Sequence, residues 1–213
     1  MSVRLFGFWR SSTSYRLRIA LNLKGLAYEN VPVNLRAREQ QDKAFTARNP
    51  FGGLPMLEAA GRDRAQSMAI LEWLDEAYPQ APRLLPADIE QRFTARELAY
   101  AIATEVHAPL NLKTLQYLKN ELGQEQPAID AWAHRWMGQT LGAIEARLEQ
   151  LGTGDFLFDA PGLFEAVLVP QLYNARRFAF DLSAMRRMTR IEEACMALAS
   201  FEQAHPRNQP DAA

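Results

Sequence analysis

The pattern of hydrophobic residues changes abruptly at a cluster of prolines near residue 80. Before this cluster, segments with strand-like alternation take turns with segments of helical periodicity, and after it the periodicity is helical almost throughout. Because proline interrupts both helices and strands, residues 79–87 are predicted to be a linker. We therefore expect two domains, an α/β domain over residues 1–80 and an all-helical domain over residues 88–213.

The order of elements in the first domain predicts a β-α-β unit followed by a β-hairpin and a helix, which together give a small mixed sheet. Its strands are predicted over residues 3–8 and 28–33, the hairpin begins in the apolar run 54–57, and its helices are predicted over 15–24, 39–46 and 68–78. In the second domain, helices are predicted over residues 89–120, 126–151, 163–176 and 187–204, followed by an irregular tail over 206–213.

Composition limits the classes of partner and cofactor. The net charge of −1 gives no electrostatic reason to expect binding to nucleic acid or to an anionic membrane. No apolar run approaches the roughly 20 residues that a membrane span needs. The amino terminus lacks the apolar core of a signal peptide, and Cys195 is the one cysteine, so we expect a cytoplasmic protein without disulfides. No pair of histidine and cysteine residues has metal-ligand spacing, so we expect no metal.

Four consecutive hydroxyl residues, Ser11 to Ser14, lie where the first predicted strand passes into the first predicted helix. The amino end of a helix presents free N–H groups and the positive end of the helix dipole. Hydroxyl donors at such a place stabilise an anion, and a thiolate in particular. Serine and threonine are also common helix caps. The cluster alone therefore fits either a structural cap or an anion site.

Several motifs resemble those of the zeta class of soluble glutathione transferases. Residues 11–21 are similar to the class signature Ser-Ser-Cys/Thr-Ser-x-Arg-x-Arg-Ile-Ala-Leu. Other similar motifs follow in the same order, namely Asn49-Pro50-x-Gly-x-Leu54-Pro55, Gln66-Ser67-x-Ala69-Ile70, His107, Val169-Pro170-Gln171-x-x-Asn174-Ala175-x-Arg177-Phe178 and His205-Pro206-x-x-Gln209-Pro210-Asp211. The resemblance implies a thioredoxin-like amino-terminal domain, a carboxy-terminal helical bundle and a homodimer.

The zeta class contains the maleylacetoacetate and maleylpyruvate isomerases. The resemblance therefore implies that the protein uses glutathione as a cofactor to isomerise a maleyl keto acid from cis to trans in aromatic degradation. In that reaction, the thiolate adds to the double bond, the adduct rotates, and elimination gives the fumaryl product. Thr13 stands where many members have cysteine. Because glutathione supplies the one thiolate required, this difference is compatible with activity.

The resemblance also implies roles for individual residues. Ser11, Ser12 and Thr13 would stabilise the thiolate, while Arg10 and Arg177 would act as catalytic cations. The residues implied for glutathione binding are Ser11, Gln40, Leu54, Pro55, Gln66, Ser67 and His107. The residues implied for binding the dicarboxylate substrate are Arg10, Lys113, Arg176 and Arg177.

Two alternative functions remain open at this stage. One is a general glutathione transferase or dehalogenase acting on electrophiles, which needs the thiolate site but not the arginines. The other is a non-catalytic dimeric relative that serves as an interaction module. Departures from the class pattern at Phe51, Asp63–Ala65, Ala108–Leu110 and Gly162 motivate these alternatives. In particular, the polar segment Asp63–Ala65 is expected to give a short or frayed last strand.

Overall fold

The computed structural model describes residues 3–212. It divides the chain into two compact units. The first unit is built from Met1–Pro86 together with Met196–Ala213, and the second is Ala87–Cys195. The boundary at Pro86 falls inside the predicted linker. No helix in the described part of the chain is both long enough and apolar enough to cross a bilayer.

The first unit contains a four-stranded mixed sheet in the order β2-β1-β3-β4. Its strands are β1 (Arg4–Gly7), β2 (Glu29–Pro32), β3 (Met56–Ala59) and β4 (Arg62–Ala65). Strand β1 pairs in parallel with β2 and antiparallel with β3, which also pairs antiparallel with β4. The helices are α1 (Ser12–Leu23), α2 (Lys43–Thr46) and α3 (Ser67–Ala77), with a 3-10 turn at Glu39–Gln41. The predicted β-α-β unit, hairpin and helix are confirmed.

The last strand was expected to be short or frayed; β4 is short, with four residues, but it is not frayed, because it pairs with β3 along all of its residues. Its polar side chains are stabilised by partners outside the strand. The Arg48 guanidinium lies 2.6 Å from an Asp63 carboxylate oxygen. The Arg64 guanidinium stacks over the Trp73 ring of α3 at 3.7 Å from the ring centroid. These contacts replace the apolar packing that the strand's own sequence lacks.

The second unit is helical, as predicted. Its helices are α4 (Ile89–Ala101), α5 (Leu112–Asn120), α6 (Gln126–Leu151), α7 (Leu163–Arg177) and α8 (Arg186–Met196), with a π-helical stretch at Ile102–His107 directly after α4. The helix predicted over residues 89–120 is interrupted at residues 108–111. There, the Asn111 side chain accepts a hydrogen bond from the Lys113 N–H at 3.2 Å and caps α5.

Helix α7 begins at Gly162, which has no side chain to cap it. The Glu165 carboxylate takes over this task, because it accepts hydrogen bonds of 2.8 Å from the N–H groups of both Gly162 and Leu157. Burial of this side chain raises its pKa, and the two backbone donors act in the opposite direction. The departure from the class pattern at Gly162 is therefore accommodated locally.

The last segment of the chain belongs to the first unit. It contains α9 (Ala199–Ala204) and a 3-10 turn at Pro206–Asn208. Helix α1 holds it through side-chain donors, since Arg18 Nε donates to the Ala204 carbonyl and Asn22 donates to the Ser200 carbonyl. The helical domain predicted over residues 88–213 thus includes a segment that the structure groups with the first unit. Hydrophobic periodicity carries no information about such polar contacts.

Candidate active site

The hydroxyl cluster lies at the amino end of α1, as predicted. Ser11 caps this helix, because its Oγ accepts a hydrogen bond from the Ser14 N–H at 3.3 Å. Thr13 donates its hydroxyl hydrogen to the Leu54 carbonyl at 3.0 Å. Ser11 Oγ and Thr13 Oγ1 are 3.0 Å apart. A hydroxyl has one hydrogen, and Thr13 donates its hydrogen to Leu54. Ser11 is therefore the donor in the hydrogen bond between Ser11 Oγ and Thr13 Oγ1.

The four hydroxyls of the cluster therefore differ in what they can still donate. Ser14 is fully buried, and its Oγ accepts from the Phe8 N–H, which ties the helix to the end of β1. Ser12 is the one whose hydroxyl makes no hydrogen bond to another residue within 3–212. Ser11 can turn its hydrogen from Thr13 to a stronger acceptor such as a thiolate. Ser12 and Ser11, rather than Thr13, are thus the available donors.

The loop before β3 lies against this cluster. The Leu54-Pro55 peptide bond is cis, and Pro55 is buried. The Leu54 carbonyl is already engaged by Thr13. Its N–H donates no hydrogen bond within the part of the chain that the structure describes. Of the two Leu54 backbone groups that could pair with an extended peptide, the N–H is thus the one that remains available.

The amino end of α3 lacks a side-chain cap. Gln66, the residue before the helix, has φ 70° and ψ 104° and makes no capping hydrogen bond. Ser67 is the first helical residue, rather than the cap that its sequence position suggests, and it is buried. The leading N–H groups of α3 are therefore not used by the Gln66 side chain. This is the arrangement in which a helix end binds an anion.

A candidate functional residue that sequence reasoning missed lies directly behind this helix end. Arg16 of α1 is fully buried, and its Nη1 donates to Ser67 Oγ at 3.3 Å. Burial lowers its pKa to about 10, so the guanidinium is still cationic at neutral pH. Its place in the Arg-x-Arg part of the signature was visible in the sequence. An arginine on an otherwise buried helix face was the signal that could have singled it out.

Gln40 lies in the 3-10 turn after β2. Its side chain is buried, which is uncommon for a glutamine. Its Oε1 has no hydrogen-bond partner among residues 3–212. An orphaned buried amide is uncommon in a folded protein, and it fits a side chain that pairs with a ligand.

The remaining predicted residues of the first unit and those of the second unit lie as follows. The Arg10 guanidinium lies 5.4 Å from the Trp9 ring centroid. His107 is the half-buried last residue of the π-helical stretch, and Lys113 is exposed on α5.

Arg177 is exposed at the end of α7. Its neighbour Arg176 forms a bidentate pair with Glu192 at 2.6 and 2.5 Å. The charge of Arg176 is therefore balanced within its own unit, unlike that of an arginine reserved for substrate.

Two other features of the described residues do not add to the site. No group of three or more histidine, cysteine, aspartate and glutamate side chains in this part of the chain is arranged to hold a metal ion. An open depression of about 440 Å³ is lined by residues 151–159 of the second unit. None of the predicted site residues lines it.

Comparisons with known proteins place this geometry in a family. The family model for the glutathione S-transferase amino-terminal domain matches residues 1–76. A maleylpyruvate isomerase from a Ralstonia species is 42% identical over 213 residues, which cover 99% of this chain and 100% of the relative. Among solved structures, a glutathione-bound maleylacetoacetate isomerase from Anaeromyxobacter dehalogenans superposes with a TM-score of 0.88 at 43% identity, covering 100% of this chain and 98% of that one.

A further solved structure shows the same likeness over nearly the whole chain. It is the holo form of a maleylpyruvate isomerase described as a bacterial zeta-class glutathione S-transferase. It matches with a TM-score of 0.95 and 42% identity, and the match covers 99% of this chain and 100% of that one. The expected thioredoxin-like domain and helical part are confirmed. With the hydroxyl cluster at the start of α1 and the open amino end of α3, these matches show that the chain belongs to the zeta-class glutathione S-transferase family.

Proposed function

We propose that the protein is a glutathione-dependent isomerase that converts a maleyl keto acid, maleylpyruvate or maleylacetoacetate, into its fumaryl isomer. The observation that carries the proposal is the 3.0 Å hydrogen bond between Thr13 Oγ1 and the Leu54 carbonyl. It brings the hydroxyl cluster of α1 together with the loop whose backbone is suited to pair with a peptide. The full-length similarity to isomerases supports the same reaction.

The residues of the first unit fit glutathione, a tripeptide with two carboxylates, an amine and a thiol. The leading N–H groups of α3 and the Ser67 hydroxyl suit the γ-glutamyl carboxylate. The Leu54 N–H suits the carbonyl of the cysteinyl unit, with Pro55 shaping the loop. Gln40, with its orphaned amide oxygen, is proposed to contact the tripeptide as well.

Bound glutathione supplies a nucleophilic thiolate for addition to the maleyl double bond. The hydroxyls of Ser12 and Ser11 donate to this sulfur, and the dipole of α1 favours its negative charge. Thr13 orients Ser11 and fixes the Leu54 loop. Each unit by which the thiol pKa falls corresponds to ~1.4 kcal/mol of preference for the ionised form.

Cations are required for the dicarboxylate substrate and for the negative charge that develops on its carbonyl oxygen. We propose Arg177 and Arg10 for these tasks, with Lys113 as a single-charge contributor that lacks the bidentate fork. His107, at the end of a π-helical stretch, is proposed to contact glutathione, since such stretches recur at functional sites. Arg176 is proposed as a weaker contributor because Glu192 already neutralises its charge.

We also propose that the protein is a cytoplasmic homodimer. Exposed apolar side chains support the dimer, since Phe51 is 66% exposed in the first unit and Ile89 and Phe93 of α4 are 66% and 62% exposed in the second. Ile89 and Phe93 lie one turn apart on the same face of their helix. The cytoplasmic location is supported by the absence of a second cysteine from the sequence.

An isomerase assay tests the proposal. Purified protein is incubated with maleylpyruvate in the presence and absence of glutathione, and the loss of maleyl keto acid absorbance is followed. We expect isomerisation only with glutathione, with a large loss of rate in Arg177→Ala and an unchanged rate in Arg190→Ala. Arg190 is a matched control on the exposed surface, paired with Asp155.

Other outcomes of this assay favour the alternatives. Conjugation of a neutral electrophile by a protein that leaves maleylpyruvate unchanged would favour a general transferase. Failure to bind glutathione at all would favour a non-catalytic interaction module.

A further inference from the structure

Arg16 carries a buried positive charge that the protein itself leaves unbalanced. The side chain is almost wholly buried, with 1% relative exposure. Its Nη1 contacts Ser67 Oγ at 3.3 Å and the Met68 sulfur at 4.0 Å, and both are uncharged. Within residues 3–212, its Nε and Nη2 have no hydrogen-bond partner. Burial of a charge without a partner is strongly unfavourable unless a counter-charge arrives.

A second buried arginine on the same helix, Arg18, has hydrogen-bond partners for its guanidinium and serves as a comparison. Arg18 is equally buried, but its Nε donates to the Ala204 carbonyl and its Nη2 to the Trp9 carbonyl, both at 2.9 Å. Arg18 therefore joins the tail to the loop before α1. Arg16 links α1 to α3 through Ser67 and Met68, but its Nε and Nη2 have no partner among the described residues, so a purely architectural role does not account for its charge.

Among the described residues, the one polar side chain to which Arg16 donates a hydrogen bond, Ser67, lies at the start of α3. Ser67 is the first residue of an eleven-residue helix whose cap position, Gln66, contributes no side-chain hydrogen bond. The dipole of α3 and the Arg16 guanidinium therefore both place positive potential at this point. Ser67 Oγ accepts from Arg16 and keeps its own hydrogen to donate onward.

We propose that Arg16 is a positioning residue for the α-carboxylate of the γ-glutamyl group of glutathione and acts on it through the Ser67 hydroxyl. This role rests on the proposed function. The guanidinium orients the hydroxyl so that its hydrogen points to the carboxylate, and its charge is balanced when the carboxylate binds. The contribution of Arg16 to glutathione affinity therefore depends on the α-carboxylate of the ligand.

Binding measurements with two ligands test this coupling. Glutathione is compared with 4-aminobutyryl-cysteinyl-glycine, which keeps the amine, thiol and glycyl carboxylate but lacks the α-carboxylate. Calorimetry gives the Kd of each ligand for the wild-type protein and for Arg16→Met. We expect wild type to bind the analogue about 30-fold more weakly than glutathione. In Arg16→Met, glutathione binds correspondingly more weakly, and the difference between the ligands falls below about threefold.

Further variants keep the test decisive. Arg16→Lys restores the charge without the planar fork and is expected to recover part of the ligand difference. Ser67→Ala removes the connecting hydroxyl and is expected to reduce the difference as well, so it carries the test if Arg16→Met fails to fold. Equal weakening of both ligands by Arg16→Met or Ser67→Ala would overturn the role of Arg16. Absence of glutathione binding by wild type would overturn the proposed function and this role with it.

Discussion

The amino ends of α1 and α3 have the same helix dipole but are treated differently by the chain. At α1, Ser11 caps the helix and Thr13 engages the Leu54 carbonyl. At α3, Gln66 provides no cap, and Arg16 adds a buried charge behind Ser67. The first end is thus satisfied by hydroxyls that can rotate toward a ligand. The second is left electropositive until an anion binds.

This difference suits two different tasks. The sulfur is a thiolate before addition and after elimination but a neutral thioether in the adduct, and hydroxyl donors that can rotate stabilise its charge without holding it permanently. A carboxylate that only anchors a cofactor remains ionised throughout, and a fixed cation suits it. We therefore assign the chemistry to the end of α1 and the anchoring to the end of α3.

The largest expected effect comes from filling the open end of α3. In Ser67→Asp, a carboxylate of the protein itself occupies the position of the ligand carboxylate beside Arg16. We expect glutathione binding to weaken about 10³-fold, while the free energy of unfolding without ligand rises by about 0.5–1 kcal/mol. Calorimetry and denaturant titration measure the two quantities. Ser67→Asn is the uncharged control. An unchanged Kd in Ser67→Asp would contradict the assignment of carboxylate binding to the amino end of α3.

The amino end of α7, which is capped by Glu165, shows how much such a cap stabilises the protein. Glu165→Ala leaves the buried N–H groups of Leu157 and Gly162 without acceptors. We expect the free energy of unfolding to fall by about 3 kcal/mol, since each buried unsatisfied group costs about 1–3 kcal/mol. Urea unfolding followed by circular dichroism checks this value. A loss below about 0.5 kcal/mol would show that these bonds do not cap α7. Exposed Glu193 provides a matched control variant, Glu193→Ala, with little expected change.

The hydroxyls of α1 are expected to be unequal in catalysis. Ser12→Ala removes an unengaged donor, and we expect kcat to fall about 10²-fold, as for the loss of one donor to a developing anion. Thr13→Val is expected to lower kcat only a few-fold because the Thr13 hydrogen is already donated to Leu54. Steady-state kinetics of the isomerase reaction compare the two variants. A larger loss in Thr13→Val than in Ser12→Ala would reverse the assignment.

The smallest expected effect concerns the tail that packs on α1. Partial burial, with Arg207 nearby, lowers the pKa of His205, which lies edge-on to Tyr15 and also faces Glu202 and Arg18. The unfolded chain therefore takes up this proton at a higher pH than the folded chain. The contribution of His205 to stability is present above its ordinary pKa of about 6.5 and declines as the pH falls toward its folded value.

Comparison of wild type with His205→Gln isolates this contribution. We expect the free energy of unfolding to decrease more steeply for wild type than for the variant as the pH falls below about 6.5. Thermal unfolding at a series of pH values provides the measurement. Parallel pH profiles for the two proteins would show that His205 does not titrate between the two states.

The sequence predicts well what depends on local pattern and poorly what depends on distant partners. Helix α6 has the predicted bounds, and the hydroxyl cluster lies at a helix start as its position after a strand indicated. The complete pairing of strand β4 was not predicted because Arg48 and Trp73, which stabilise its polar residues, lie outside it. The contact between Thr13 and Leu54 joins residues that are 41 positions apart, and no periodicity reveals it.

The role of Arg16 illustrates the same limit. In the sequence it is one charge in a helix that also contains Arg18. Their difference arises from what the fold brings to each side chain, namely two backbone carbonyls for Arg18 and one hydroxyl for Arg16. A motif therefore locates such residues, and only the packing distinguishes an architectural arginine from one that awaits a ligand.

The ionisation of the glutathione thiol in its complex with the protein tests the account most directly. Ultraviolet absorbance reports the thiolate, and titration of the complex gives its pKa against free glutathione. We predict a pKa at least about one unit below the ordinary thiol value of ~8.5, with much of the shift lost in Ser12→Ala and little of it lost in Thr13→Val. A thiol that stays protonated at neutral pH when bound would contradict the assignment of the chemistry to the amino end of α1.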